Sequence, residues 1–513
     1  MKQTNKWLVA LTVVMPTFIE VLDTSVVNVA LDTMGGSLSA SLNETTWVST
    51  SYLIANAIIV PLTVWLSRLL GRKRYLMASI ALFTLSSFLC GTATSLGAMI
   101  LFRILQGIGG GGLMALSLSI LMETFPPEEH GIATAIYGIG TLTAPALGPV
   151  LGGWVVNNWS WPWIFFINIP VGILALIMTQ VFIEDPSYLQ RTTFKEKLDY
   201  WGIILVVIGV ACLQIVLSKG QDMDWFASTP IAILTVVSAV SLAAFVAIEL
   251  KSPHPILNLR VFKDACFTSA NVISGAAMLV MFSSFIFLPI FLQQLMSYDA
   301  FQAGLAVTPL GIVSMFSMMA AGLLVNKINP KIIVVLGILS LATSSLMMSR
   351  FNLYVDPNAI IWPVIFMGAG LGMVMVPLVA MMYVTLPKTQ VGDASSIFNV
   401  LRNIASSMGV AVMVTLLSRR AQFHQFRLIE HLSPFDATYQ SYVHQASSLV
   451  AAKTGFASEL AANGLIYQGL MRQAALFAFT DIFYISAIIM LCMIPLIFLL
   501  KRPKHGQGGM MMH

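Results

Sequence analysis

The chain has 513 residues, of which 57% are hydrophobic and only 10% charged, with a formal net charge of +5 at pH 7. Soluble domains carry about 25% charge, so composition excludes a mainly water-facing protein. The basic excess is spread along the chain in a way that speaks for membrane topology, not for a nucleic-acid partner.

Apolar runs of the roughly 20 residues needed to cross a bilayer follow one another from end to end. They predict an all-α polytopic membrane protein with fourteen spans, at 7–31, 46–66, 75–94, 98–122, 131–154, 163–182, 200–218, 228–248, 266–292, 302–325, 332–349, 359–383, 393–418 and 476–500. The first span is too long and too acidic for a cleaved signal peptide and reads as retained. The four cysteines, Cys90, Cys212, Cys266 and Cys492, fall in apolar runs without metal or disulfide spacing. They read as packing residues, and no cofactor or metal is expected.

Lys and Arg gather on alternate connecting segments: Lys2 and Lys6, then Arg68, Arg72, Lys73 and Arg74, then Arg191, Lys195 and Lys197, and so on through Lys327, Lys331 and Lys388 to Lys501, Arg502 and Lys504. Positive loops stay inside, so both termini are expected in the cytoplasm. The aromatic cluster Trp159, Trp161 and Trp163 then falls at the external interface. The one long external segment, 419–473, has helix-like apolar spacing. A helical hairpin capping the pore and a docking surface for a partner both fit it.

An internal repeat divides the chain. Gly131 corresponds to Gly392 and Gly148 to Gly409, both 261 residues apart, and Val64–Lys73 is echoed by Gly322–Lys331. Two related halves around a midplane site are a common plan of secondary transporters. The expected division is a first six-helix half at 1–185, a linker with two inserted spans at 186–262, and a second half at 263–513 that includes the loop 419–473.

The stretches LDTSVVNVAL (22–31), LFRILQGIGGGG (101–112), APALGPVLGG (144–153) and WPWIFFINIPVG (161–172) resemble signature motifs of the major facilitator superfamily. The chain is similar over its whole length to the fourteen-span drug:proton antiporters, nearest to EmrB-type exporters. The resemblance implies two six-helix halves plus two inserted helices, and export of lipophilic or amphipathic drugs by proton-coupled alternating access. It also implies a bacterial inner membrane, a periplasmic adaptor of the EmrA kind and an outer-membrane channel. Export of a specific metabolite, lipid or siderophore is the alternative. One motif departs from the family. In VWLSRLLGRK, Val64 stands at the usual glycine and Arg68 at the usual acid, while Gly71, Arg72 and Lys73 remain; the second copy has Asn326 at the acid. The usual latch through that acid is therefore lost.

The chemistry-bearing residues are few. Glu20 and Asp23 lie three apart in an apolar run, hence on one helix face, although a carboxylate in hydrocarbon costs roughly 2.5–3.5 kcal/mol or more. At 1.5 Å per residue Asp23 and Arg103 both sit roughly 8–11 Å below the outer boundary and can meet if their spans are neighbours. No histidine falls in a predicted span, which leaves carboxylates as proton carriers: Asp23, Glu20 and, near a span end, Asp481. Each of these, and Arg103, also has a purely structural reading, as a pinning or hydrogen-bonding group; so do Glu123 and Asp393. Asn28, Gln106, Tyr137, Phe285, Asn399, Arg402 and Asn403 are candidate substrate-lining residues, in a chain whose 30 Met and 30 Phe supply soft apolar surface. Gly107, Gly148, Gly152 and Gly153 allow close helix approach and Pro149 bends its helix; these, with Gly71, Arg72 and Lys73, are the candidate conformational elements. GIGGGG lacks the Lys-Ser/Thr of a phosphate loop, and neither HExxH nor GxSxG occurs. The chain does not read as an enzyme.

Overall fold

The computed structural model describes residues 5–185, 199–252, 255–325, 327–387, 390–430, 432, 435, 437–454 and 459–500. Lys2, Arg191, Lys195, Lys197, Asn326, Lys388 and the residues after 500 lie outside these. Seventeen α-helices and no strands make up the described residues.

In chain order the helices are α1 (Lys6–Ser37), α2 (Leu42–Leu70), α3 (Arg72–Gly91), α4 (Leu96–Gly110), α5 (Leu113–Thr124), α6 (His130–Asn158), α7 (Trp163–Phe166), α8 (Asn168–Phe182), α9 (Tyr200–Lys219) and α10 (Thr229–Lys251). They continue as α11 (Ala265–Met296), α12 (Ala300–Leu324), α13 (Pro330–Met348), α14 (Pro357–Val384), α15 (Val391–Ile429), α16 (Ala437–Thr454) and α17 (Glu459–Cys492). Thirteen stretches are long and apolar enough to cross a bilayer, and 130–158, bent by 45° between Pro145 and Val150, makes a fourteenth.

The helix starts are written in the local sequence. Ser41 and Glu44 form a capping box on α2, and Asp299 and Gln302 do the same on α12. Ser95, Asp199, Asp264 and Asp356 each accept a first-turn N–H of the following helix. Pro330 and Pro357 occupy first-turn positions, where a missing N–H costs nothing.

Two predicted spans are interrupted. The fourth breaks between α4 and α5 at Gly111 and Gly112, where consecutive glycines weaken the helix. The reason for glycine there is crowding: a Cβ on Gly111 would strike the Asn56 carbonyl, and one on Gly112 the Tyr75 hydroxyl. The sixth breaks at Ile167, between α7 and α8.

The expected hairpin over 419–473 is built differently. α15 runs unbroken for 39 residues to Ile429, α17 begins at Glu459, and only α16 is a separate helix, packed on α17. Spanning helices thus continue outward as one piece.

α1 lies at the centre of the N-terminal helices, packed on α6, α8, α5 and α2. The N-terminal and C-terminal helices meet where α6 packs on α12 and α14, and where α15 packs on α2 and α5. α9 lies against both α2 and α15, so the inserted pair spans that seam at the edge.

Candidate functional site

The carboxylate of Asp23 sits where α1, α4 and α8 converge. Its Oδ2 accepts from Arg103 Nη1 at 2.5 Å, and its Oδ1 accepts from Gln106 Nε2 at 3.0 Å and Asn168 Nδ2 at 2.8 Å. Both charged side chains are sealed from solvent, at 0% and 1% exposure. Arg103 is held in turn: Nε donates to the Val48 carbonyl at 3.1 Å and Nη1 to Gln106 Oε1 at 2.6 Å, and the Tyr52 ring lies 4.2 Å from its guanidinium carbon. Gln106 and Asn168 also both donate to Ser87 Oγ, at 3.3 and 3.0 Å. A buried ion pair is sustained only by excellent geometry and further hydrogen bonds, and this one has both.

The structure brings together the two residues that the sequence puts at one depth, on helices that meet here. Asn168 and Ser87 were not foreseen. Asn168 is the first residue of α8, two before Pro170, and the break at Ile167 turns it inward. An amide just ahead of a proline in an apolar run was the available signal. Gln106, expected to line a substrate path, belongs instead to this buried network because it shares a helix face with Arg103.

Glu20, about one turn nearer the Lys6 end of α1, is also buried, at 3% exposure. Its Oε1 accepts from Asn56 Nδ2 at 2.9 Å, and its Oε2 has no hydrogen-bond partner among the described residues. Asn56 Oδ1 accepts from Asn403 Nδ2 of α15 at 3.3 Å. Glu20 is therefore one amide away from the C-terminal helices.

A cavity of about 20 Å³, room for roughly one water, lies between α6 and helices α11, α12, α14 and α15. Tyr137 and Arg402 line it, and Tyr137 donates to Asn399 Oδ1 at 3.4 Å. Arg402 donates to Met114 Sδ. Phe285 is not among the lining residues; it is half-buried and packs against the main apolar core. Asn28 lies elsewhere on α1, accepting from Ser49 Oγ at 2.8 Å.

Asp481 of α17 is separate from the Asp23 network. Its Oδ2 takes Arg420 Nε and His424 Nε2, each at 2.6 Å. His424 falls outside the predicted span but on the outward continuation of α15.

At the bundle end that holds Lys6 and Leu500, α15 closes onto the N-terminal helices. Arg68 Nη2 pairs with Asp393 Oδ2 at 2.8 Å, Ser395 Oγ donates to the Ala115 carbonyl at 2.8 Å, and Ser396 Oγ donates to the Val60 carbonyl at 2.7 Å. Nearby, Arg72 pairs with Glu123. Lys73 donates from its backbone to Asp185 Oδ1 at 2.9 Å and from Nζ to the Gln180 carbonyl at 2.6 Å. Gly71 joins α2 to α3 at φ 85°, a conformation open to glycine. Gly148 and Gly152 bring α6 against Ser25 and Val26 of α1, whereas a Cβ on Gly153 would meet nothing within 4 Å. Pro149 stands in the stretch where α6 bends. Among the described residues no group of three or more His, Cys, Asp or Glu side chains is placed to hold a metal ion.

Chemically, the site is a buried carboxylate held by one guanidinium and two amides carried by neighbouring helices, so moving α4 or α8 relative to α1 breaks its hydrogen bonds.

The family described as Major Facilitator Superfamily matches residues 14–410. The chain is 35% identical to the fatty acid resistance protein FarB of Neisseria gonorrhoeae, over 98% of this chain and 97% of that one. It is 34% identical to the multidrug export protein EmrB of Escherichia coli K12, over 96% and 95%. Among solved structures, the proton:xylose symporter XylE matches with a TM-score of 0.59 at 13% identity, covering 96% of this chain and 97% of that one; this is a likeness of fold.

Proposed function

Since this chain belongs to the major facilitator superfamily, a family of membrane transporters and not of enzymes, we propose that it is a proton-coupled exporter of lipophilic or amphipathic small molecules. Two halves, 1–185 and 263–513, rock about the central cavity, with the inserted pair 186–262 at their edge. The membrane is the bacterial inner membrane, with both termini in the cytoplasm. The names of its relatives, a multidrug exporter and a fatty acid resistance protein, support the substrate range. In this reading the chain hands its substrate to a periplasmic adaptor and an outer-membrane channel.

The observation that carries the coupling is Asp23 held by Arg103, Gln106 and Asn168 with no solvent contact. Ionised, Asp23 fastens α1 to α4 and α8. Protonated, it no longer matches Arg103, and the fastening loosens. Glu20, joined through Asn56 to Asn403 of the other half, is the second carboxylate through which proton occupancy reaches the seam. Arg68–Asp393, Ser395 and Ser396 close the end that holds the termini, the cytoplasmic end in this reading, so the conformation described is closed inward.

The test uses purified protein in liposomes under an imposed pH gradient, recording proton release when a lipophilic substrate is added. Release by the wild type and none by a folded Asp23→Asn variant is the expected result. Equal release by both removes Asp23 from the coupling.

A further inference from the structure

The cavity between the two groups of helices has one charged residue on its wall, Arg402, and its other walls are apolar or neutral. The acceptors around that guanidinium are neutral and weak. Arg402 donates to the sulfur of Met114 and shares the cavity wall with Tyr137, and among the described residues it has no carboxylate within ion-pair distance. Glu20 forms no ion pair with it, and one oxygen of Glu20 is engaged by Asn56. Arg103, also deep in the bundle, shows the contrast: it has a carboxylate, a carbonyl and an amide oxygen. A cation in an apolar setting without a matched anion is costly, and a thioether is a poor acceptor. Arg402 therefore has guanidinium donors to spare on the wall of a cavity that Met278, Met318 and Met375 also line.

We propose that Arg402 is the recognition group for amphipathic carboxylates, taking the carboxylate head in the forked geometry that a guanidinium offers while the apolar chain lies along the methionines. Flexible, polarisable methionines accept chains of varied shape, so the head group is selected and the tail is not. At about 20 Å³ the cavity is too small for such a ligand as it stands. Its walls belong to α6 on one side and to α11, α12, α14 and α15 on the other, so parting the two groups of helices widens it with Arg402 already in place. The proposal rests on the export reading for its biological sense, but binding can be measured without transport.

The experiment titrates purified protein in nanodiscs with a fluorescent long-chain polyene carboxylate and, separately, with its uncharged methyl ester, using empty nanodiscs as the partition blank. The wild type is expected to bind the carboxylate at least about tenfold more tightly than the ester, the range of one charge-assisted contact. Arg402→Gln is expected to remove that preference while keeping ester binding, and Arg402→Lys to keep part of it. Equal affinity of the wild type for both probes overturns the proposal, as does an undiminished preference in a monodisperse Arg402→Gln protein. Tighter binding of ethidium than of the carboxylate overturns it as well. Should Arg402→Gln fail to fold, the wild-type ratio and the Lys variant decide. Failure of proton-coupled transport with the carboxylate preference intact would overturn the export reading alone.

Discussion

Arg68 at the end of α2 reaches Asp393 at the start of α15, 2.8 Å away, and so joins the N-terminal to the C-terminal helices. The Asp393 side chain is 3% exposed while that of Arg68 is 35% exposed, so the acid depends on this partner more than the base does. Arg68→Asp and Asp393→Arg are each expected to cut transport several-fold by repulsion across the seam. The double exchange is expected to recover much of the loss. Disulfide trapping between α2 and α15 at this end, compared across the three variants, reads the closure directly; no recovery in the double exchange would refute the latch.

Removing the base from the central pair is expected to be worse than neutralising the acid. Arg103→Ala leaves Asp23 charged and sealed from solvent with only two amide donors, and breaking a buried pair in this way costs about 3–5 kcal/mol. Asp23→Asn keeps an acceptor for Arg103. Thermal unfolding in detergent should therefore show a clear loss of stability for Arg103→Ala and a small change for Asp23→Asn, although both stop coupled transport.

Asn168 supplies one of Asp23's two amide donors and also donates to Ser87. Asn168→Leu, similar in size but without donors, is expected to weaken proton coupling by roughly tenfold, in keeping with the ~1.5–3 kcal/mol of a hydrogen bond to a charge, and to shift the pH profile of transport. An unchanged profile would mean that Asn168 only packs.

Asp481 and Asp23 are held by separate sets of partners. Because Asp481 is engaged by Arg420 and His424 and not by the Asp23 network, Asp481→Asn is expected to leave the proton count per substrate unchanged. Measuring that count in liposomes for both variants would settle which carboxylate matters.

Two glycines should behave oppositely. Gly107→Val drives a side chain into the Tyr52 backbone, which cannot move aside, and is expected to prevent correct assembly of α2 and α4. Gly153→Ala meets nothing and is expected to change stability by less than about 0.5 kcal/mol. Membrane yield and unfolding temperature distinguish them.

The helices and their order were legible because hydropathy and capping residues such as Ser41, Asp264 and Asp356 act locally. Counting residues puts Asp23 and Arg103 at one depth in the bilayer, and the family resemblance supplies the neighbouring spans that let them meet. What stayed hidden depends on how helices rotate about their own axes: that Gln106 turns toward Asp23, and that Asn168 is aimed inward by a break at Ile167. Arg68 and Asp393 lie 325 residues apart, and no local pattern links them.

α15 has one further property. Its 39 residues make a rod of about 58 Å, roughly twice the hydrocarbon thickness. Along it lie the Asp393 latch, Arg402 at the cavity, and His424 near the far end. A tilt of about 10° pivoting at Arg402 carries Ile429 through about 7 Å. The Arg68–Asp393 contact and the Ile429 tip are thus two ends of one lever, so a tilt that opens the first must move the second.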